Sequence, residues 1–80
     1  MTIHVRFFGP AVDLAGTASA SIALEPGDTL GRLAGVLAER YPKLGAALGV
    51  RLAVNQRFVA LSHALAEGDE VAVIPPVSGG

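Results

Sequence analysis

The last two residues, Gly79 and Gly80, are the part of the sequence whose types and spacing could take part in chemistry. Glycine has no Cβ atom, so a pair of glycines can enter a narrow channel and adopt backbone angles that are closed to other residues. A carboxylate at neutral pH is a poor electrophile, but its transfer to AMP gives an activated acyl group that sulfide or an amine can attack. The pattern indicates a carrier whose carboxylate at Gly80 reacts on another protein.

The residues before Gly80 are suited to delivering such a terminus. Proline cannot donate a hydrogen bond to a sheet and fixes φ near −65°, so the last strand should end at Ile74 and the chain should leave the sheet in an extended direction. We expect a domain over residues 1–74 and a projecting tail over residues 75–80 that inserts into a partner's site. The insertion residues before the terminal glycine are Pro75, Pro76, Val77, Ser78 and Gly79.

Composition argues against other kinds of chemistry. The chain has no cysteine, which excludes a thiolate zinc site and a cysteine nucleophile, and its two histidines, His4 and His63, are far apart in sequence. A chain of 80 residues supports one modest core but not a deep catalytic cleft between lobes. We therefore expect a chain that is not an enzyme on its own and that binds no metal or cofactor.

Charge and hydropathy limit the partners. Six Lys and Arg residues stand against seven Asp and Glu residues, and the arginines are scattered without a basic stripe, which argues against nucleic acid. The sequence has no run of about 18 apolar residues and therefore predicts no membrane span. The N-terminus enters a strand pattern directly, without the features of a signal peptide. We expect a cytoplasmic protein that binds neither nucleic acid nor membrane.

Apolar residues alternate with polar ones in the segments that we predict to be strands. This period of two runs from Ile3 to Phe7 and through Ala20, Ile22 and Leu24. The same period returns at Leu52 and Val54. Asn55-Gln56-Arg57 then predicts a tight connection into a strand Phe58-Val59-Ala60. A last strand is predicted from Glu70 to Ile74. Between the first two strands, Ala11 to Ala15 could form a short helix with Pro10 at its first position.

One longer helix is predicted between the strand pairs. The helix begins after Asp28 or Thr29, either of which can cap it, and it ends before Pro42. Its apolar residues recur with a period near 3.6 and are Leu30, Leu33, Leu37 and Tyr41. The segment from Leu44 to Val50 is small, apolar and rich in glycine, which predicts a loop or a weak turn of helix. A single main helix among such strands indicates an α+β domain with the helix across one face of a mixed sheet.

Several segments, in this order and spacing, carry a resemblance that covers nearly the whole chain. They are Val5-Arg6-Phe7-Phe8-Gly9 followed by Leu14-Ala15-Gly16, then Ala53-Val54-Asn55-Gln56, Gly68-Asp69-Glu70-Val71-Ala72 and the terminal Pro75-Pro76-Val77-Ser78-Gly79-Gly80. The chain resembles the ubiquitin-like β-grasp sulfur carriers, and most closely the small subunits of molybdopterin synthase. The resemblance implies a β-grasp fold with one main helix packed across a mixed sheet and an extended C-terminal Gly-Gly tail.

The resemblance also implies a role as a sulfur carrier in molybdenum cofactor biosynthesis. An E1-like enzyme would use ATP to adenylate the Gly80 carboxylate, and a sulfur donor protein would convert it to a thiocarboxylate. Two small subunits would sit on a dimer of the large subunit, giving a heterotetramer in which the sulfur passes to cyclic pyranopterin monophosphate. In that family the lysines and arginines that bind the pterin belong to the large subunit.

Three apolar residues are expected to face outward beside the tail. Alternation places Phe8 opposite Phe7, Phe58 opposite Val59 and Ile74 opposite Val73. Strand pairing in a β-grasp sheet could gather Phe8, Phe58 and Ile74 into one exposed patch, and such patches mark partner surfaces. The resemblance implies that this patch docks both the large subunit and the activating enzyme, although Ile74 stands where phenylalanine is common in the family.

Two other functions remain open on the sequence. One is a carrier for another pathway, such as that of the thiamin thiazole, but those carriers usually lack the Phe-Phe-Gly opening and the Pro-Pro exit that this chain has. The other is a ubiquitin-like protein modifier or plain binding module. Lys43 is the only lysine, which argues against a modifier that builds chains on itself.

Overall fold

The computed structural model describes residues 1–75, so the predicted tail residues Pro76, Val77, Ser78, Gly79 and Gly80 lie outside the described part of the chain. The division into a domain over residues 1–74 and a projecting tail therefore stays a prediction. Within the described range, the elements are β1 (Thr2–Phe7), α1 (Pro10–Ala15), β2 (Ser19–Ala23), α2 (Leu30–Arg40), α3 (Pro42–Ala46), β3 (Arg51–Val54), β4 (Arg57–Phe58) and β5 (Glu70–Ile74).

The strands form one mixed sheet in the order β2-β1-β5-β3-β4. The first hairpin pairs β1 with β2 in antiparallel fashion, and β5 then lies parallel to β1. On its other side β5 pairs antiparallel with β3, and β3 pairs antiparallel with β4. This arrangement brings the first and last strands together in the centre of the sheet, so residues near both ends of the described chain share one surface.

Helix α2 covers one face of the sheet, which we call the inner face. The Thr29 hydroxyl accepts a hydrogen bond from the Arg32 amide at 3.3 Å and caps the helix, as one of the two predicted cap residues. The core is formed by the buried leucines of α2 and by alternate residues of the strands. Its members with at most 1% exposure are Ile3, Val5, Ala11, Ile22, Leu30, Leu33, Val71 and Val73. Burying each large apolar side chain contributes about 1.5–3 kcal/mol.

The segment after α2 forms a short helix, which is one of the two alternatives predicted for Leu44 to Val50, but this helix begins earlier than that segment. Pro42 does end the long helix, but it also occupies the first turn of a second helix, α3, because proline at that position has no amide that needs a partner. Leu44 is buried and holds α3 against the core. Gly45 allows the two helices to approach closely, since a Cβ atom there would lie 2.9 Å from the Cβ of Ala38. The glycine that suggested a loop is therefore a packing contact between helices.

The fourth strand is shorter than the predicted Phe58-Val59-Ala60. The chain leaves the sheet after Phe58 and crosses the first turn of α2, where the Leu30 amide donates to the His63 carbonyl at 2.9 Å and the Gly31 amide to the Leu61 carbonyl at 2.8 Å. Helix amides in the first turn have no partner within the helix. This loop supplies their acceptors, and that requirement draws the chain away from the sheet.

Candidate functional site

The start of the predicted tail is fixed next to the end of β1. The Phe8 amide donates to the Val73 carbonyl at 3.2 Å, which extends the β1–β5 pairing to the last residues of β5. Gly9 follows with a φ of +52°, a conformation that favours glycine, and a Cβ atom there would lie 3.6 Å from Cγ of Pro75. Pro75, the first predicted tail residue, therefore lies beside the turn after β1.

Strand register lines up the residues on the other side of the sheet, which we call the outer face. Ala72 of β5 pairs with Arg6 of β1 and with Ala53 of β3, and Ala53 pairs with Phe58 of β4. Residues paired across a sheet have side chains on the same face. One row across the outer face thus consists of an arginine, two alanines and a phenylalanine.

The next row on the outer face lies closer to the tail. Ile74 of β5 pairs with Arg51 of β3. Phe7 pairs with Val73, so Phe8, the following residue, lies beside Ile74. The second row therefore contains Phe8, Ile74 and Arg51, and it directly precedes Pro75.

These rows enclose a shallow concavity of about 390 Å³, which we call the outer concavity. Its lining residues are Phe8, Ala53, Gln56, Phe58, Ala72 and Ile74. The two alanines are small and lie lowest, whereas Phe8 and Phe58 stand at the rim with 42% and 54% of their surface exposed. An exposed apolar depression of this kind can receive a protruding side chain of another protein.

The structure therefore brings together the three predicted docking residues, Phe8, Phe58 and Ile74, in one depression beside Pro75. Their role in docking stays a prediction. Sequence reasoning did not identify Ala53, Ala72 and Gln56, which line the same depression. Ala53 and Ala72 alternate along their strands with the core residues Val54, Val71 and Val73, but only the register between β3 and β5 shows that the two alanines are neighbours.

Two arginines that the sequence left unassigned flank the aromatic residues. The Arg6 guanidinium carbon lies 5.6 Å from the centroid of the Phe8 ring. The Arg51 guanidinium carbon lies 3.8 Å from the centroid of the Phe58 ring. Both distances are within the range of a cation–π contact. Arg6 shares a face with Phe8 by simple alternation, but the contact between Arg51 and Phe58 depends on two strand pairings.

A hydrogen-bonded turn positions Gln56 and Phe58. Asn55 and Gln56 have φ values of +48° and +69°, the left-handed conformation that a two-residue hairpin of type I′ requires at both positions. The Asn55 side chain donates to a carboxylate oxygen of Asp69 at 3.0 Å and accepts from the Glu70 amide at 3.0 Å. This turn ties the β3–β4 hairpin to the start of β5 and so sets the position of the concavity's rim.

The acidic residues near this turn have local structural partners. Asp69 also accepts from the Ala66 amide at 2.8 Å, and Glu67 accepts from the Thr2 amide at 3.1 Å. These hydrogen bonds hold the turn that leads into β5 and fix it against the start of β1. Over residues 1–75 the structure shows no group of three His, Cys, Asp or Glu side chains placed to hold a metal ion. Nor does any helix in this range have the length and apolar character to span a membrane.

Known proteins include solved structures with the same fold as this chain, and a family whose sequences match it. The sequence profile of the ThiS family matches residues 5–80. The molybdopterin synthase sulfur carrier subunit of Mycobacterium tuberculosis is 36% identical over 80 residues, which cover 98% of this chain and 96% of the relative. SAMP1 from Haloferax volcanii has a TM-score of 0.89 at 26% identity over 100% of both chains.

One chain of a solved complex is also similar to this chain. The complex joins subunits 1 and 2 of the molybdopterin-converting factor from Helicobacter pylori, and the matching chain has a TM-score of 0.74 at 32% identity, with 100% of both chains covered. These likenesses confirm the predicted ubiquitin-like β-grasp fold. They also confirm the resemblance to the small subunits of molybdopterin synthase. The chain belongs to the ThiS family.

Proposed function

We propose that this chain is a sulfur carrier subunit that acts in molybdenum cofactor biosynthesis and is not an enzyme on its own. Its relation to curated sulfur carrier subunits of molybdopterin synthase supports this role. The structural observation that carries the proposal is the outer concavity, which lies directly beside Pro75. A surface that binds a partner at this point would direct the following residues into that partner. A cytoplasmic location is part of the same proposal.

The chemistry assigned to this chain is confined to the Gly80 carboxylate. An E1-like enzyme transfers AMP from ATP to that carboxylate and releases pyrophosphate. Sulfide supplied by a donor protein then attacks the acyl carbon, the carbon–sulfur bond forms, and AMP leaves as the bond between carbon and the AMP oxygen breaks. The product is a thiocarboxylate, whose sulfur is the softer nucleophile. ATP is bound by the activating partner, so this chain needs no cofactor of its own.

Delivery of the sulfur takes place in a complex with the large subunit of molybdopterin synthase. Phe8, Phe58 and Ile74 dock on the large subunit, and the tail from Pro75 to Gly79 enters its active site, where cyclic pyranopterin monophosphate accepts the sulfur. The five residues after Pro75 can span at most roughly 17 Å. The reacting atom of the partner must therefore lie within that distance of the edge of the outer concavity. Two small subunits and two large subunits form the complex.

The proposal is tested by product formation from purified components. The thiocarboxylate form of the chain is mixed with the cognate large subunit and cyclic pyranopterin monophosphate, and the dithiolene product is measured. We expect product only with the sulfur-loaded chain. The matched control is a variant that lacks Gly79 and Gly80, which retains every residue of the outer concavity and should bind the large subunit without giving product. Product at the same rate from that variant would contradict the proposal.

A protein modifier is the second candidate. SAMP1 stands for small archaeal modifier protein 1, and the likeness of this chain to it covers the whole chain. In that case Gly80 would form an isopeptide bond with lysine amines of other proteins. Digestion of tagged protein from cells distinguishes the two functions. Lysine-linked peptides that end in Gly80 would favour the modifier, whereas a chain recovered free or as a thiocarboxylate would favour the carrier.

A further inference from the structure

The outer concavity is apolar at its floor but is flanked by positive charge. Arg6 lies on the β1 side, in the row of Ala72, and Arg51 lies on the β3 side, in the row of Ile74. Each arginine is solvent-exposed and lies close to one of the two rim phenylalanines. Neither arginine lines the depression itself, but Arg6 lies against its rim at Phe8 and Arg51 lies against its rim at Phe58.

The acidic groups of the outer face lie at its other end. Glu70 pairs with His4, one row further from the tail than Arg6 and Ala72. Asp69 lies at the same end, where its carboxylate is engaged by Asn55 and by the Ala66 amide. The end of the face that borders Pro75 is therefore positive, although the whole chain has a net charge of −1.

Arginine beside an aromatic ring can still bind an anion. The guanidinium is planar and has five N–H donors, so it can contact a ring through its face while its edge donates to a carboxylate. The ring contact also restricts the long side chain, which reduces the entropy lost when an ion pair forms. Arginine and aromatic residues are the types that contribute most at protein interfaces.

We propose that the outer concavity recognises a protein surface on which an apolar side chain protrudes between two carboxylates. The apolar side chain fills the space above Ala53 and Ala72, one carboxylate pairs with Arg6, and the other pairs with Arg51. This inference rests on the proposed function, which makes the large subunit of molybdopterin synthase the partner. The inference adds a chemical basis for recognition of that partner. The large subunit presents two carboxylates at positions that match those of Arg6 and Arg51.

Charge complementarity of this kind acts mainly on the rate of association. Opposite charges steer two proteins into contact, and this effect weakens with salt because the Debye length is about 10 Å at 0.1 M ionic strength. Replacing one arginine by glutamate turns an attraction into a repulsion. We therefore expect a slower association at low salt and a smaller difference at high salt.

The test measures association rates between the full-length chain and the cognate large subunit at several salt concentrations. The variants are Arg6→Glu and Arg51→Glu, at the two arginines that lie against the rim phenylalanines, and the matched control is Arg40→Glu, at the exposed end of α2 on the other face of the sheet. We expect each of the first two to slow association about tenfold at low salt and the control to change it less than about twofold. Arg51→Lys should restore most of the rate, because it keeps the charge.

The outcomes separate this inference from the proposed function. If Phe58→Ala weakens binding but Arg6→Glu and Arg51→Glu associate as fast as wild type, the carboxylate pairing is wrong and the docking function stands. The carboxylate pairing is also wrong if Arg40→Glu slows association as much as the other two, since the effect would then be one of net charge. If the wild-type chain does not bind the large subunit at all, both the proposed function and the inference are overturned.

Discussion

The two faces of the sheet are built from the same strands and differ in what lies on them. On the inner face, Val5 and Val73 are fully buried beneath α2. On the outer face, their neighbours along the strands are the exposed Arg6 and the partly exposed Ala72 and Ile74. The inner face is filled by its own helix, whereas the outer face has two alanines at the centre and aromatic residues at the rim.

Because of this difference, the residues that stabilise the fold and the residues that can bind a partner lie on opposite faces of one sheet. Every second strand residue contributes to the core, and substitution there costs buried apolar contacts. The residues between them face away from α2, so their side chains can be chosen for a partner. Small side chains at Ala53 and Ala72 leave the depression open, and large ones at Phe8 and Phe58 form its walls. The comparison therefore predicts that substitutions on the two faces affect different measurements.

The largest effect is expected on the inner face. Ile3→Ala removes a fully buried side chain from the centre of the sheet. Such truncations lower the free energy of unfolding by about 2–5 kcal/mol, because apolar contacts are lost and a cavity remains. Urea denaturation measures this change. The control is His4→Ala, the next residue on the same strand but on the outer face, which should change the value by less than about 0.5 kcal/mol. Equal losses in the two variants would contradict the division between faces.

A binding defect without a comparable loss of stability is expected on the outer face. Phe58→Ala removes a wall of the outer concavity, and interface aromatic residues of this kind commonly contribute about 2 kcal/mol or more to binding. The affinity for the large subunit, measured by calorimetry, should fall about thirtyfold. Leu48→Ala is the control, because Leu48 is 89% exposed but does not line the outer concavity. A large drop in melting temperature with affinity retained would show that Phe58 belongs to the core instead.

The smallest effect is expected at the turn that connects the two faces. Asn55→Ala removes the hydrogen bonds to Asp69 and Glu70 and leaves a residue with a Cβ atom at a φ of +48°. We expect a loss of about 1–2 kcal/mol in unfolding free energy, measured with urea. Asn55→Gly loses the same hydrogen bonds but tolerates the conformation, so it should be less destabilised. If Asn55→Gly were the less stable of the two, the backbone argument would fail.

Local patterns predicted much of this molecule. Period-two alternation located the central strands and placed Phe8 and Ile74 on the outer face, and a period near 3.6 identified the leucine stripe of α2. The start of α3 was not evident, because Pro42 can equally end one helix or begin the next, and Gly45 gains its meaning only from contact with Ala38. Such contacts between distant segments leave no local signal.

Only part of the outer concavity could be predicted, because the rest depends on contacts between strands that are distant in sequence. Each of Phe8, Phe58 and Ile74 could be assigned to the outer face from its neighbours in sequence, but the approach of Arg51 to Phe58 depends on how β3 pairs with β4. Pairing register is set by turn geometry, here by two residues with positive φ at Asn55 and Gln56. Neither residue is glycine, so the type of turn was not visible in the sequence.

The central claim is that Gly80 accepts sulfur, and the mass of the intact chain tests it most directly. The chain is incubated with the cognate activating enzyme, ATP, magnesium and sulfide and is then measured by mass spectrometry. We predict the mass gain that corresponds to one oxygen replaced by sulfur, located by fragmentation at Gly80 and absent without ATP. An unchanged mass in a mixture where the enzyme consumes ATP would contradict the claim.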